Sequence, residues 1–281
     1  APDPTGSPAA PAAPEAVRPP LFTPDELAAF KAQVSPLIGL DLHAYKPRQM
    51  ERRVAALMSR ANVPSLEALY AQLASDPARL GAFVNGLMIN VTEFFRNPEK
   101  FEELASHVLP DLLSRFDRIK VWSAGCSVGA ELYTVGIVLE RMGALDRVEL
   151  VGTDLDEEAI EKARQGLYTP HEVQALPPET LEAYFLAEGN RYRFTGEAIM
   201  ARSRFECRNL LTAAPEPDCH LVLCRNVVIY LNDESKRVLY RAFREALVPG
   251  GVLFVGNTER IFDCRDLGLK QVAPFFYQKP L

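Results

Sequence analysis

The sequence is most informative at first for what it lacks. No apolar run approaches the length needed to cross a membrane, and no basic-then-apolar leader is present. No direct membrane insertion is therefore expected. Five cysteines, Cys126, Cys207, Cys219, Cys224 and Cys264, are odd in number and show no C-x-x-C spacing. That argues against a disulfide scaffold and against a zinc site, so no metal is expected, and it fits a reducing cytoplasm. Basic charge is not in excess. Lys and Arg number 31 against 37 Asp and Glu, a net charge of −6, so there is no global electrostatic case for nucleic acid. What is present is enough apolar material for a real core. The 281 residues are 48% hydrophobic, sufficient for one large or two modest domains.

The stretch from Ile119 to Thr134, IKVWSAGCSVGAELYT, organises the reading. It opens with apolar and β-branched residues, breaks into Ser123, Ala124, Gly125, Cys126 and Ser127, and resumes after Gly129 with helical spacing. Strand, small-residue turn and helix make the first unit of a Rossmann-like α/β domain, with backbone N–H groups open to a ligand. A dinucleotide fingerprint needs a third glycine, and a P-loop needs a Lys-Ser/Thr pair. Both are missing. The next strand, within VELVGTDLD, ends in Asp154. A carboxylate there, about twenty residues beyond the turn, is placed to accept hydrogen bonds from ribose hydroxyls. A ligand with a ribose and no required phosphate suggests S-adenosylmethionine.

Around this unit the chain divides. Residues 1–20 are mostly Ala and Pro and are expected to be a disordered leader or linker. Thr23-Pro24-Asp25-Glu26 signals a helix start, and helical patterns follow near 24–36, 47–61, 65–74 and 77–89. Residues 21–90 thus read as a small helical domain. In its second helix Met50, Val54, Leu57 and Met58 share one face, while Lys46, Arg48, Arg52, Arg53 and Arg60 line the basic flank. That flank is either a solvated face or a docking surface for an acidic partner. Residues 91–281 read as the α/β domain, with a mainly parallel sheet. The stretch 168–205, too long for a simple connection, reads as an inserted small α+β subdomain with a helix at 178–187.

Four motifs in order resemble the CheR family of methyltransferases, which esterify glutamates of bacterial chemoreceptors. They are Asn90-Val91-Thr92-Glu93-Phe94-Phe95-Arg96, Trp122-Ser123-Ala124-Gly125-Cys126-Ser127, Thr153-Asp154-Leu155-Asp156 and Cys224-Arg225-Asn226-Val227-Val228-Ile229-Tyr230. The resemblance spans roughly residues 21–279 and implies a helical domain, a Rossmann-like methyltransferase domain and a β-subdomain inserted into it. It implies S-adenosylmethionine as cofactor and S-adenosylhomocysteine as product. It assigns cofactor contacts to Asn90, Thr92, Arg96, Glu131, Asp154, Asn209, Leu210, Arg225 and Asn226, and the transfer step to Arg96 and Tyr230. The partner it implies is the cytoplasmic helical region of a chemoreceptor; the basic charge of Lys46, Arg48, Arg52, Arg53 and Arg60 makes the second helix the expected docking surface for it. The chain departs from the family where Ala130-Glu131-Leu132-Tyr133 carries one carboxylate instead of two. The late Gly-x-Ser-Glu appears as Gly256-Asn257-Thr258-Glu259. The insert is shorter around Glu188 to Thr195 than in members that bind a receptor's tethering pentapeptide, so no tether is expected.

The residues agree with such chemistry. A glutamate of pKa about 4.3 is already ionised at pH 7 and needs no general base. The four histidines, His43, His107, His171 and His220, lie outside every motif, which sits badly with a hydrolytic triad. Phe94 and Phe95 are expected to supply dry walls or to pack in a core. The competing reading is a non-catalytic S-adenosylmethionine-binding signalling module, favoured by Ala130 and Leu132.

Overall fold

The computed structural model describes residues 21–88 and 92–281. The expected leader and Asn90 lie outside these. The first part is four helices, α1 (Pro24–Ile38), α2 (Pro47–Ala61), α3 (Leu66–Ser75) and α4 (Pro77–Leu87). Their ends follow from capping chemistry. Thr23 closes a capping box with Glu26, Ser65 caps α3, and Asp76 accepts from Ala78 and Arg79 at the start of α4. Gly39 and Asn62 end α1 and α2 in the left-handed conformation. Phe30, Val34, Met50, Val54, Met58, Leu69 and Phe83 close a core of their own.

The chain then continues as α5 (Pro98–Glu103), a π-type turn at Leu104–Val108 and α6 (Leu109–Arg115), followed by β1 (Ile119–Ala124), α7 (Ala130–Arg141), β2 (Val148–Asp154) and α8 (Glu157–Gln165). An insert follows, made of β3 (Leu167–Tyr168), α9 (Pro170–Val173), α10 (Pro178–Tyr184), β4 (Phe185–Glu188), β5 (Arg191–Phe194) and α11 (Glu197–Met200). The fold closes with β6 (Ser203–Cys207), β7 (Cys219–Cys224), α12 (Asp233–Ala246), β8 (Leu247–Val255), β9 (Lys270–Ala273) and β10 (Phe276–Gln278). The main sheet has seven strands in the order β6-β2-β1-β7-β8-β10-β9. The pairs from β6 to β8 are parallel, and β10 and β9 add on in antiparallel fashion.

Burial on both faces explains the nearly continuous apolar strands. Along β1, Ile119 and Val121 enter one core while Trp122 and Ala124 enter the other. Leu221 and Leu223 alternate with Val222 and Cys224 in β7 in the same way. The indole of Trp122 donates to Thr153 Oγ1 at 2.9 Å, so its one polar atom is satisfied inside the core.

Two expectations need correction, and one strand was not foreseen. Phe205 belongs to β6, paired in parallel with β2, so the insert ends before it and its own sheet has only the three strands β3-β5-β4. The helix expected at 178–187 stops at Tyr184. Phe185 turns into β4 because its ring is buried opposite Phe194 of β5. The strand β9 went unforeseen, since the exposed Lys270 and Gln271 of this edge show no apolar alternation.

Candidate active site

A cleft of about 480 Å³ opens at the carboxyl ends of β1, β2 and β7, where the strand order of an open sheet reverses. Its floor is the turn after β1. Gly125 and Gly129 take φ of 84° and 81°, and a Cβ at Gly125 would strike Val227 at 2.5 Å. Gly125 N and Cys126 N donate to Thr153 O at 2.8 and 3.0 Å, locking the turn to β2. Ser127 N then donates to Asp154 Oδ2 at 2.7 Å, and Asp156 N to Asp154 Oδ1 at 3.0 Å. Asp154 is therefore both a cleft group and a brace. Burial pushes its carboxyl above the usual carboxylate range, against the pull of these backbone donors. Ser127 lines the same cleft, and its buried hydroxyl has no hydrogen-bond partner among the described residues.

A chain of buried polar groups reaches the same cleft through Glu131 and Arg225. Ser123 Oγ donates to Glu131 Oε1 at 2.7 Å, and Arg225 Nη1 reaches Glu131 Oε2 at 3.4 Å. Burial pushes the Glu131 carboxyl up and the Arg225 guanidinium down, and their mutual attraction opposes both shifts. Arg225 Nη2 donates to Arg96 O at 2.8 Å and to Asn97 Oδ1 at 2.9 Å. Its guanidinium also lies 5.1 Å from the Phe101 ring and 4.7 Å from that of Phe254. Arg225 thus ties the segment bearing Arg96 to the end of β7.

The loop after β7 is held from beneath. Glu259, 4% exposed, accepts from Asn226 N at 2.6 Å, Gly256 N at 2.8 Å and Ile229 N at 3.3 Å. Asn226, at φ 60°, and Tyr230 in the turn Val228–Tyr230 are presented to the cleft by this brace. Arg208 is anchored by the buried Glu216 and by Glu206 and fixes the turn before Asn209 and Leu210.

Thr92, Arg96, Glu131, Asp154, Asn209, Leu210, Arg225, Asn226 and Tyr230 all line this one cleft. Asn90 lies outside the described residues. The five basic residues are not brought together in the same way. Arg52, Arg53 and Arg60 reach the cleft, while Lys46 and Arg48 do not line it. Arg53 is committed inside the fold, its guanidinium donating to the carbonyls of Leu87, at 2.9 Å, and Met88. Arg48, Arg52 and Arg60 are exposed.

Two groups were missed by sequence reasoning. Tyr45, from the loop before α2, lines the cleft near Asp154. Burial pushes its phenol up to about 12, with the Asp154 carboxylate adding to the shift. Glu259 was noticed only as part of a motif. Neither Phe94 nor Phe95 lines the cleft. Phe94 is fully buried against Tyr168, at 4.8 Å, and Phe185, at 4.9 Å, inside the insert. Phe101 lines the cleft instead, together with Tyr45 and Tyr230. Ala130 and Leu132 are core residues that do not reach the cleft, whereas Glu131, the carboxylate between them, lines it.

The helical part closes the cleft. Lys46 N donates to Tyr230 O at 2.9 Å, Asn232 N to Ala44 O at 2.9 Å, and Tyr45 and Leu231 form an antiparallel bridge. Among the described residues no helix is long and apolar enough to cross a membrane, and no cluster of metal-ligating side chains occurs.

The sequence matches the family description "CheR methyltransferase, SAM binding domain" over residues 90–272 and "CheR methyltransferase, all-alpha domain" over residues 25–88. It is 35% identical over 244 residues to a chemotaxis protein methyltransferase of Listeria innocua, covering 86% of this chain and 92% of that protein. A protein of the same name from Listeria monocytogenes is 34% identical over 86% of this chain and 92% of its own length. Chemotaxis protein methyltransferase 1 of Pseudomonas aeruginosa is 31% identical over 84% of this chain and 90% of its own length. With both parts matched in order, the chain belongs to the CheR methyltransferase family and is an S-adenosylmethionine-dependent methyltransferase.

Proposed function

We propose that the chain transfers the methyl group of S-adenosylmethionine to glutamate side-chain carboxylates in the cytoplasmic helical region of a chemoreceptor, forming methyl esters. The observation that carries this reading is the cleft's composition. Asp154, a strand-end carboxylate of the kind that accepts from a ribose, shares one cleft with Arg96, Tyr230 and the buried Glu131–Arg225 pair. The names of the relatives support a chemotactic acceptor. A cytoplasmic location goes with that acceptor and with the free thiols.

When bound, the cofactor supplies an electrophilic methyl on a sulfonium. Passing that methyl to a carboxylate oxygen would ask no proton of the protein's own side chains. The cofactor groups fit the residues present. Asp154, with a lone pair left beside its two backbone donors, accepts from the ribose, and the Ser127 hydroxyl is a ready partner. The Asn209–Leu210 turn borders the base, with Tyr45 covering the sugar. Arg96 holds the acceptor carboxylate by charge and geometry without giving up a proton. Tyr230 and Phe101 keep water from a reaction that neutralises opposite charges. Thr92 and Asn226 complete the walls. Asn90, beside Thr92 in the motif, keeps its role as a cofactor contact. The exposed Arg48, Arg52 and Arg60, with Lys46 at the helix start, form the docking rim for an acidic receptor helix. The hairpin of β4 and β5 turns in only two residues, Gly189 and Asn190, which supports an acceptor recognised without a pentapeptide tether.

The test is transfer of a radiolabelled methyl to receptor-containing membranes, then exposure to mild base. Label that is lost in base, and formed at least about tenfold more slowly with Arg96→Ala, is the expected result. Base-stable label would mean N-methylation and would sink the ester reading. Arg96→Ala should lower turnover at saturating cofactor by about one to several powers of ten, since orientation alone supplies several kcal/mol.

A further inference from the structure

Among the described residues none of the insert lines the cleft, yet the insert is bonded to two of its walls. The first bond is made by Tyr168 of β3. Its side chain is fully buried, and its hydroxyl donates to Val128 O at 3.0 Å. Burial pushes the phenol well up, so it stays a donor. Val128 lies in the turn after β1, between Ser127 and Gly129, both at positive φ. This is the turn whose backbone a cofactor approaches. The second bond is made at Phe94, just before Arg96 in the chain. Phe94 N donates to Glu172 O of α9 at 2.9 Å, and its ring meets that of Tyr168 edge-on at 4.8 Å. Thr169 and Glu172 close a capping box at the start of α9, which fixes α9 directly after Tyr168. The stretch 168–172 therefore grips the cofactor turn with one residue and the Arg96 segment with another.

Resting on the assignment of Arg96 to the transfer step, we propose that the insert is an internal clamp, with Tyr168 and Phe94 as positioning residues for the cofactor turn and for Arg96. Methyl transfer needs donor carbon and acceptor oxygen aligned and in contact, and a shift of about 1 Å made far from the chemistry can cost about a hundredfold. The donor is held on the turn and the acceptor by Arg96, so whatever joins these two walls sets that distance. Phe95 N donates to Thr134 Oγ1 at 3.1 Å, and Arg225 Nη2 to Arg96 O at 2.8 Å. Those bonds tie the segment to α7 and to the end of β7, and Phe94 ties it to the insert. The stacking of Phe194 of β5 on Tyr133, centroids 4.6 Å apart, seats the insert on α7, the helix that follows the turn. The two arms of the clamp act on different quantities. The Tyr168 hydroxyl shapes the turn and bears on cofactor affinity. The Phe94 ring places Arg96 and bears on turnover.

The experiment uses the full chain, calorimetry with S-adenosylmethionine, and methylation of receptor-containing membranes at saturating cofactor. Tyr168→Phe keeps the ring and removes the hydroxyl. It should raise the cofactor Kd by about three- to tenfold, the worth of one hydrogen bond, with a smaller effect on turnover. Phe94→Leu should do the reverse, lowering turnover by about tenfold or more with a smaller effect on affinity. Thermal unfolding checks that each variant is folded at the assay temperature, and Phe94→Met replaces Phe94→Leu if that variant is not. A folded Tyr168→Phe with wild-type affinity overturns the clamp. So do two variants that lose affinity and turnover in the same proportion, which is what a general loosening of the fold produces. Wild-type turnover in Arg96→Ala overturns the underlying assignment instead, and the affinity of Tyr168→Phe, read without any acceptor, is independent of it.

Discussion

At the scale of single residues, Asp154 has two tasks that can be separated. It faces the cleft, and it fixes the turn through Ser127 and Asp156. Asp154→Ala should cost on the order of 1.5–3 kcal/mol in cofactor affinity, read by calorimetry on a folded variant. Because burial raises its pKa, the sign of the pH effect is fixed. The ionised carboxylate accepts from the ribose, so affinity is full well above the raised pKa and falls as pH drops through it. Asp154→Asn should flatten that dependence. For stability the same shift runs the other way, since a raised carboxyl pKa contributes most in acid and loses that contribution as pH rises. Asp154 was legible in the sequence because a strand and its terminal carboxylate are local. Tyr45 and Glu259 were not, because each reaches the site across a tertiary contact that no spacing announces.

At the scale of elements, the boundaries that local chemistry controls were legible and those set by partners were not. Thr23-Pro24-Asp25-Glu26 marks a helix start by its cap, and α1 begins there. The end of α10 and the membership of β6 depend on what Phe185 and Phe205 pack against, so the pattern alone misplaced both. The Phe94–Phe95 pair shows the same limit. Two adjacent aromatics predict burial, but not which of two dry places they occupy. Phe94→Ala should cost about 3–5 kcal/mol, as for other fully buried phenylalanines, measured by denaturant unfolding. It should also loosen α9 from the Arg96 segment. A loss below about 1 kcal/mol would show that the insert is not anchored there.

At the scale of the whole molecule, charge is divided by position. A chain of net −6 concentrates exposed arginines on one helix at the mouth of its site. The structure refines which of them are available, since Arg53 is bound to the carbonyls of Leu87 and Met88. Arg52→Glu with Arg60→Glu should slow receptor methylation through association, with an effect that shrinks at high salt. Normal low-salt methylation by that variant would reduce the rim to a solvated face. Arg53→Glu should instead lower stability at any salt.

The strap between Ala44 and Asn232 has a consequence for how activity is acquired. Asn232 Nδ2 donates to His43 O across 189 positions of chain, and the bonds beside it are nearly as distant in sequence. Contacts of such separation carry a large loop-closure cost and form only after local helices and neighbouring strands are in place. Tyr45 and Tyr230 reach the cleft through this strap, so the cleft is one of the last things the chain completes. A nascent or refolding molecule can therefore hold most of its secondary structure while remaining unable to retain its methyl donor. Methyl transfer then begins only when the two ends of the fold have met.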